Sequence, residues 1–302
     1  MSDTGEAPAQ DRRPGAGAPH NTEAVMSDTG EAPTQDRRPG AGAPHNTEAA
    51  MSDTPPLMAA EHVGKRFGPV QALRDVNLSV RRGEILGLIG DNGAGKSTLL
   101  KILTGYHRPD DGRLLFEGEP VLLKSVTHAR SLGIETVFQD LALVNDLPVY
   151  LNLHLNKELV HRPLPFLRRR EMKRRAREAL DAIGISIPSV TAEVGQLSGG
   201  QRQAIAVARS VYSHGAKLLL LDEPLAAMGA KEGGLILRLL AQLKQGGDLA
   251  IILIAHNYSQ VVDVCDRVNL LQHGEITFDR RSEDTSVAEL LELVHAEYRL
   301  NG

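Results

Sequence analysis

Ile85-Leu86-Gly87-Leu88-Ile89-Gly90-Asp91-Asn92-Gly93-Ala94-Gly95-Lys96-Ser97 runs from a short apolar stretch directly into a glycine-rich turn. The apolar part, 85–89, reads as a buried strand, and 96–103 reads as a helix. Between them, 90–97 fits G-x-x-x-x-G-K-[ST], in which glycines let successive backbone N–H groups turn inward around phosphate oxygens. Side chains at those positions would block the approach. Lys96 is expected to place a compact positive charge on the phosphates, Ser97 to offer a hydroxyl to Mg²⁺, and the helix to aim its N-terminus at the anion. The phosphate-binding candidates are therefore Gly90, Asp91, Asn92, Gly93, Ala94, Gly95, Lys96, Ser97 and Thr98. An ordinary glycine-rich turn is the competing explanation, and the strand–loop–helix setting weighs against it.

Outward from this loop, short β-rich runs alternate with helical patterns from about residue 57, which predicts an α/β fold around a mostly parallel sheet. Strands are expected near 113–116, 134–137, 218–221, 249–255 and 268–271. Three of them end on chemically active residues: Gln139, the pair Asp222-Glu223, and His256. Ligand chemistry in open α/β sheets gathers at the carboxyl ends of strands. The run Lys217-Leu-Leu-Leu-Leu-Asp222-Glu223 would deliver Asp222 to the shell of a Mg²⁺ ion, leaving Glu223 to polarise an attacking water. Residues 203–211 read as a helix with Ala204, Val207, Ala208 and Val211 on one face. The stretch 149–183 is predicted to be mainly helical and breaks the α/β rhythm, marking an inserted helical subdomain over about 149–210. Residues 282–285 read as a polar connector before a C-terminal helix over 287–300.

The whole chain sets outer limits. It has 302 residues, 41% apolar and 24% charged, with a net charge of −4, so no global basic field draws it to nucleic acid or anionic lipid. Between Arg162 and Arg177 lie eight basic residues, but with few aromatics among them and Glu171 in the run, a solvated helical face is expected and no nucleic-acid partner. The single cysteine, Cys265, excludes an intrachain disulfide and reads as a packing residue. No apolar stretch approaches the roughly 20 residues needed to span a bilayer, and the N-terminus lacks a signal-peptide core. A cytoplasmic setting follows, with any membrane attachment made through another subunit.

Residues 1–25 recur as 26–50 with two changes, Thr34 for Ala9 and Ala50 for Val25, and MSDT begins again at Met51. This tandem duplication is rich in Pro, Gly, Ala and charge, so 1–56 is expected to be a disordered tail ahead of one folded unit over 57–302. Because Met26 and Met51 restart the same phrase, translation from Met51 is a further expectation.

The class narrows at Leu197-Ser198-Gly199-Gly200-Gln201. This phrase resembles the signature of ABC (ATP-binding cassette) ATPases. The surrounding residues agree: Gln139 after a strand, His256 after the last core strand, and Phe67 within Lys65-Arg66-Phe67-Gly68. The resemblance covers about 57–280. It implies a P-loop NTPase ABC core with an antiparallel β-subdomain and a helical signature subdomain, with ATP and Mg²⁺ as ligands. It also implies that two copies dimerise head to tail, so that ATP lies between 90–97 of one and Ser198, Gly199, Gly200 and Gln201 of the other. By the same resemblance Phe67 stacks on adenine, Gln139 touches Mg²⁺ or water, and His256 holds the γ-phosphate and orients Glu223. The metal set so implied is Ser97, Gln139 and Asp222, and the catalytic set is Glu223, His256 and Gln139. One departure stands out: the family's usual acidic residue in the segment after the Glu-Pro pair is replaced by Gly229, within Leu225-Ala226-Ala227-Met228-Gly229.

Within that family, Val137-Phe138-Gln139-Asp140-Leu141-Ala142-Leu143, Gly184-Ile185-Ser186-Ile187-Pro188-Ser189-Val190 and the stretch 226–232 look most like bacterial importers of simple sugars, the ribose, xylose and fructose type. The implied machine is a homodimer on membrane permease subunits, fed by an extracytoplasmic solute-binding protein. An importer of amino acids or another solute is the alternative. A soluble ABC protein is disfavoured by the single set of motifs and the lack of long coiled coils.

Overall fold

The computed structural model describes residues 55–300, apart from 162, 164 and 227. The duplicated segment expected to be disordered lies, as far as residue 54, outside the described residues. In chain order the elements are β1 (Met58–Phe67), β2 (Val70–Val80), β3 (Ile85–Ile89), α1 (Lys96–Leu103), β4 (Asp111–Phe116), β5 (Glu119–Val121), α2 (Val126–Ser131) and β6 (Ile134–Val137). There follow α3 (Val149–Leu153), β7 (Val160–His161), β8 (Phe166–Leu167), α4 (Arg169–Ala182), α5 (Gly199–Ala208) and β9 (Leu218–Asp222). The chain continues through α6 (Ala230–Gln245), β10 (Ala250–Ile254), α7 (Tyr258–Val264), β11 (Arg267–Gln272), β12 (Glu275–Arg281) and α8 (Val287–Leu300).

Six strands form the central sheet in the order β12-β11-β3-β10-β9-β6. Its five inner and far members run parallel, and β12 is antiparallel to β11. Strands covered on both faces read as unbroken apolar runs, which is why 85–89, 218–221 and 250–254 lack alternation. Side chains nevertheless alternate in space. Ile85, Ile89, Leu219, Leu221, Ile251 and Leu253 point into one core, and Leu86, Leu88, Leu218, Leu220, Ile252 and Ile254 into the other.

The second core is closed by α1, through Leu99, Leu100, Ile102 and Leu103, and by a four-stranded antiparallel sheet ordered β2-β1-β4-β5. The first is closed by α3 to α7, with Ala204 to Ala208 of α5 fully buried. Truncating any of these central leucines to alanine costs about 2–5 kcal/mol, because neighbours relax only partly into the void.

Two expectations need correction. The stretch expected to be mainly helical, 149–183, carries α3 and α4 but also, between them, the small hairpin β7–β8, whose strands pair Val160 with Leu167 and His161 with Phe166. Pro163 and Pro165 remove backbone donors there and break the helical path. The helix expected over 203–211 starts earlier, at Gly199, and ends at Ala208, after which Arg209–Ser213 widens into a π-helical turn.

The basic run is a solvated face. Arg174 pairs with Glu171 and Glu178, both at 2.6 Å, and Arg175 with Glu171 at 2.8 Å, while Met172, Ala176 and Leu180 of the same helix face the core. Cys265 is buried, its Sγ 3.0 Å from where a Cβ on Gly87 would stand. Burial also pushes its thiol pKa well above the ordinary value, so it packs α7 against β3 as an inert small residue.

Candidate functional site

Parallel pairing brings four strand ends to one edge. Leu88 pairs with Ile254, Ile254 with Asp222, and Leu221 with Val137. The residues just beyond, Gly90, His256, Glu223 and Gln139, therefore leave the sheet along one line. They were scattered over 166 positions of sequence, between residues 90 and 256.

The loop after β3 has left-handed backbone at Gly90 (φ 149°), Gly93 (φ 88°) and Gly95 (φ 111°). A Cβ at Gly90 would come within 2.2 Å of the Leu271 carbonyl oxygen, and one at Gly95 within 2.7 Å of that of Ala72. Those glycines are demanded by neighbouring backbone as well as by their own dihedrals. Gly93 differs, since a Cβ there would meet nothing within 4 Å; it faces open space.

Lys96, only 8% exposed, curls back and donates to the carbonyl oxygens of Gly90 (2.6 Å) and Asp91 (2.9 Å). Burial lowers its pKa, opposed by the negative charges of Glu223, Asp91 and Asp222. Its ammonium is thus a desolvated cation held chiefly by neutral carbonyls, a group for which an anion is the better partner. Ser97 and Thr98 follow in the first turn of α1, which no side chain caps.

Asp222 ends β9 half-buried, and burial together with Glu223 raises its carboxyl above the ordinary range, against the pull of Lys96 and Lys101. The three residues expected to hold Mg²⁺, Ser97, Gln139 and Asp222, would offer oxygen donors with one carboxylate, chemistry that Mg²⁺ accepts. Glu223 adopts φ 50°, uncommon for a residue with a side chain, and its N–H donates to the Ile254 carbonyl at 2.9 Å. Such left-handed backbone costs of order 1 kcal/mol or more and persists where surrounding bonds enforce it. Its effect is to turn Glu223 away from the path of β9. There Oε1 lies 3.4 Å from Nδ1 of His256.

Gln139 is exposed beyond β6. Phe67, at the end of β1, is 42% exposed, edge-on to His107 with ring centroids 5.2 Å apart and with Lys65 Nζ 5.5 Å from its centroid. Lys65 pairs in register with Leu73, whose side chain, with the Ala72 carbonyl, flanks Gly95. Phe67 is thus a partly exposed ring, with Lys65 over it and His107 at its side.

The signature residues sit elsewhere. Ser198 caps α5, its Oγ accepting from the Gln201 N–H at 3.3 Å while Gln201 Oε1 accepts from the Ser198 N–H at 3.1 Å, a reciprocal capping box. Gln201 also donates to the Ser186 carbonyl at 3.1 Å. The Glu232 carboxylate, in the first turn of α6, lies 3.5 Å from the Gly200 N–H, and a Cβ at Gly200 would press to 3.1 Å of Glu232 Cβ. Because α5 packs in one core and α1 in the other, the central sheet separates the signature helix from the phosphate-loop helix.

Three residues with a hold on this site were missed in the sequence: Glu232 on Gly200, Asn152, and Arg209, whose guanidinium reaches the loop after Gln139. Glu232 left a weak trace as an acid in a helical first turn, where the dipole favours it. The other two left none: the carbonyls that Arg209 bonds lie 67 and 68 positions away, and Asn152 bonds an irregular turn 5 to 8 residues back that no helix or strand pattern marks.

A sequence profile of the family described as ABC transporter matches residues 73–226. The chain is 46% identical over 238 residues to the xylose/arabinose import ATP-binding protein XylG of Sulfolobus acidocaldarius, covering 79% of this chain and 93% of that protein. It is 40% identical over 226 residues to the fructose import ATP-binding protein FrcA of Rhizobium meliloti, covering 72% and 86%. To the ribose import ATP-binding protein RbsA of Hahella chejuensis it is 35% identical over 238 residues, but that match spans only 47% of the relative. Among solved structures, the ADP conformation of the ATP-binding cassette MJ1267 superposes with a TM-score of 0.67 at 25% identity, covering 80% of this chain and 96% of that one. A dimeric post-hydrolysis state of the cassette MJ0796 bound to ADP and Pi gives 0.62 at 26% identity, covering 74% and 98%.

Proposed function

This chain belongs to the ABC transporter family, and we propose that it is the ATP-binding and ATP-hydrolysing subunit of a membrane importer for a simple sugar. The observation that carries the enzymatic part is the in-register arrival of 90–97, Asp222-Glu223, His256 and Gln139 at one sheet edge. The sugar assignment rests on relatives named for xylose/arabinose, fructose and ribose import.

In this reading Lys96 exchanges its two carbonyl partners for phosphate oxygens, joined by the N–H groups of the loop and of the first turn of α1. Phe67 stacks on the adenine. Ser97, Gln139 and Asp222 would hold Mg²⁺, which neutralises charge on the phosphates when bound. Glu223 accepts a proton from the attacking water, and His256, within reach of its carboxylate, orients it and bonds the γ-phosphate.

A second copy completes the site. Ser198 and the amides of Gly199, Gly200 and Gln201 stand on the face of the sheet away from α1, so within one chain they serve no phosphate held by 90–97. Head-to-tail pairing of two copies supplies them from the partner.

Among the described residues no helix is long and apolar enough to cross a membrane. The reading therefore needs permease subunits that hold the pair at the cytoplasmic face, with a solute-binding protein outside. Glu223→Gln tests the chemistry: ATP binding should persist while turnover falls about 100-fold or more, leaving an ATP-bound dimer visible by size exclusion. Hydrolysis at the wild-type rate would remove Glu223 from its role. Purification of the tagged full chain from membranes, followed by binding of labelled pentoses and hexoses to the co-purifying solute-binding protein, tests the substrate. Tight binding of an amino acid instead of a sugar would overturn that part alone.

A further inference from the structure

The loop that carries Gln139 is pinned at two points, and the first is the far end of the signature helix. In the π-helical turn after α5, Arg209 donates from Nη1 to the carbonyl of Ala142 (2.8 Å) and from Nη2 to that of Leu141 (3.0 Å). Ala142 takes left-handed backbone (φ 48°), with its N–H 3.3 Å from Asp140 Oδ1. The second point is the buried Asn152 of α3, which accepts from the Val144 N–H (2.8 Å) and donates to the carbonyls of Val144 and Leu147 (both 3.0 Å). Between the end of β6 and the first anchor, Phe138, Gln139 and Asp140 are all exposed.

Arg209 is an expensive group to spend on a loop. It is half-buried, its guanidinium bonds two neutral carbonyls, and burial with the nearby Arg130 lowers its pKa while Glu135 opposes. Glu135 itself faces Arg130 at 3.6 Å and His214 at 3.2 Å. A desolvated cation kept on carbonyls by a bidentate fork gives a geometry that a lysine point charge does not reproduce. Arg209 is the first residue of the π-helical turn, and such turns are frequent at functional sites.

We propose that Arg209 is a positioning residue that sets the reach of Gln139 and ties it to the signature helix. Ser198 at the start of α5 serves the nucleotide of the second copy, and Arg209 at its end holds the Gln139 loop of its own site. The ten residues between span about 15 Å of rigid helix. The inference rests on the proposed function for its catalytic consequence, and on geometry alone for the latch.

The test uses the full chain carrying Arg209→Met, which removes the fork but keeps bulk, and Arg209→Lys. In Arg209→Met, kcat for MgATP should fall at least about tenfold with ATP affinity changed less than about threefold, the pattern of a misplaced group. Arg209→Lys should lie between it and wild type. Amide exchange without nucleotide should rise in the peptide over 138–145 and stay unchanged over 200–208. Unchanged kcat, or exchange rising equally across α5 and the loop, would overturn the proposal. If Arg209→Met does not fold, Arg209→Lys carries the test, and wild-type kcat and exchange in it are the overturning result. Absence of wild-type ATPase that Lys96→Ala abolishes would sink the functional reading instead, and the exchange measurement would still decide the latch.

Discussion

The N-termini of α1 and α5 end up in opposite conditions. At α1 the N-cap is Gly95 in left-handed geometry, among the described residues no side-chain cap bonds the first turn, and Lys96 bonds two loop carbonyls. At α5 a capping box closes the turn, and Glu232 stands against the Gly200 amide. On the proposed function the nucleotide supplies the partner of the first site, so ligand binding and local order would be linked there. The second has its first turn bonded within the fold, and on the proposed function it would meet a nucleotide held by the other copy.

Changes at α1 should then act on nucleotide binding by a single chain, and changes at α5 on whatever needs two. The largest effect is expected for Lys96→Ala, which should weaken ATP binding about 100-fold, the worth of a charged hydrogen-bonding partner in a partly buried site; equilibrium titration with a fluorescent ATP analogue measures it. Wild-type affinity there would erase the contrast. Ser198→Ala should cost about 1 kcal/mol of stability through the lost cap and depress turnover, while ATP affinity of the monomer stays at the wild-type value. Loss of monomer affinity in this variant would mean that α5 contacts the nucleotide of its own chain.

The smallest effect concerns Gly229, the N-cap of α6, which is extended and around which a Cβ would meet nothing within 4 Å. Gly229→Asp should fit and add a few tenths of a kcal/mol as a better cap. If the missing acid limits communication across the dimer, ATP dependence of turnover becomes more sigmoidal. An unchanged Hill coefficient would show that its place has been filled otherwise, with Glu232 three residues on, against the signature helix, the group to test next.

Legibility followed the range over which each feature is determined. The loop 90–97, its strand and α1 were readable to the residue because left-handed glycines, a helix start and a buried strand are properties of adjacent residues. The strand ends at Gln139, Asp222 and His256 were readable because parallel sheets collect such ends on one edge. The hairpin β7–β8 escaped because basic and apolar residues on either side kept a helical rhythm, although Pro163 and Pro165 marked the break.

From the sequence alone it was determined that a G-x-x-x-x-G-K-[ST] loop, an adjacent pair of acids and a Ser-Gly-Gly-Gln phrase coexist in one chain. Only the tertiary structure decided that α1 and α5 occupy opposite faces of the central sheet. The physical reason is that the loop and the cap are made by dihedrals and bonds within a few residues. The face on which a helix packs depends on which side of the sheet each crossover buries. The holds of Glu232 on Gly200, 32 residues apart, and of Arg209 on Ala142, 67 apart, likewise exist only once both cores have closed.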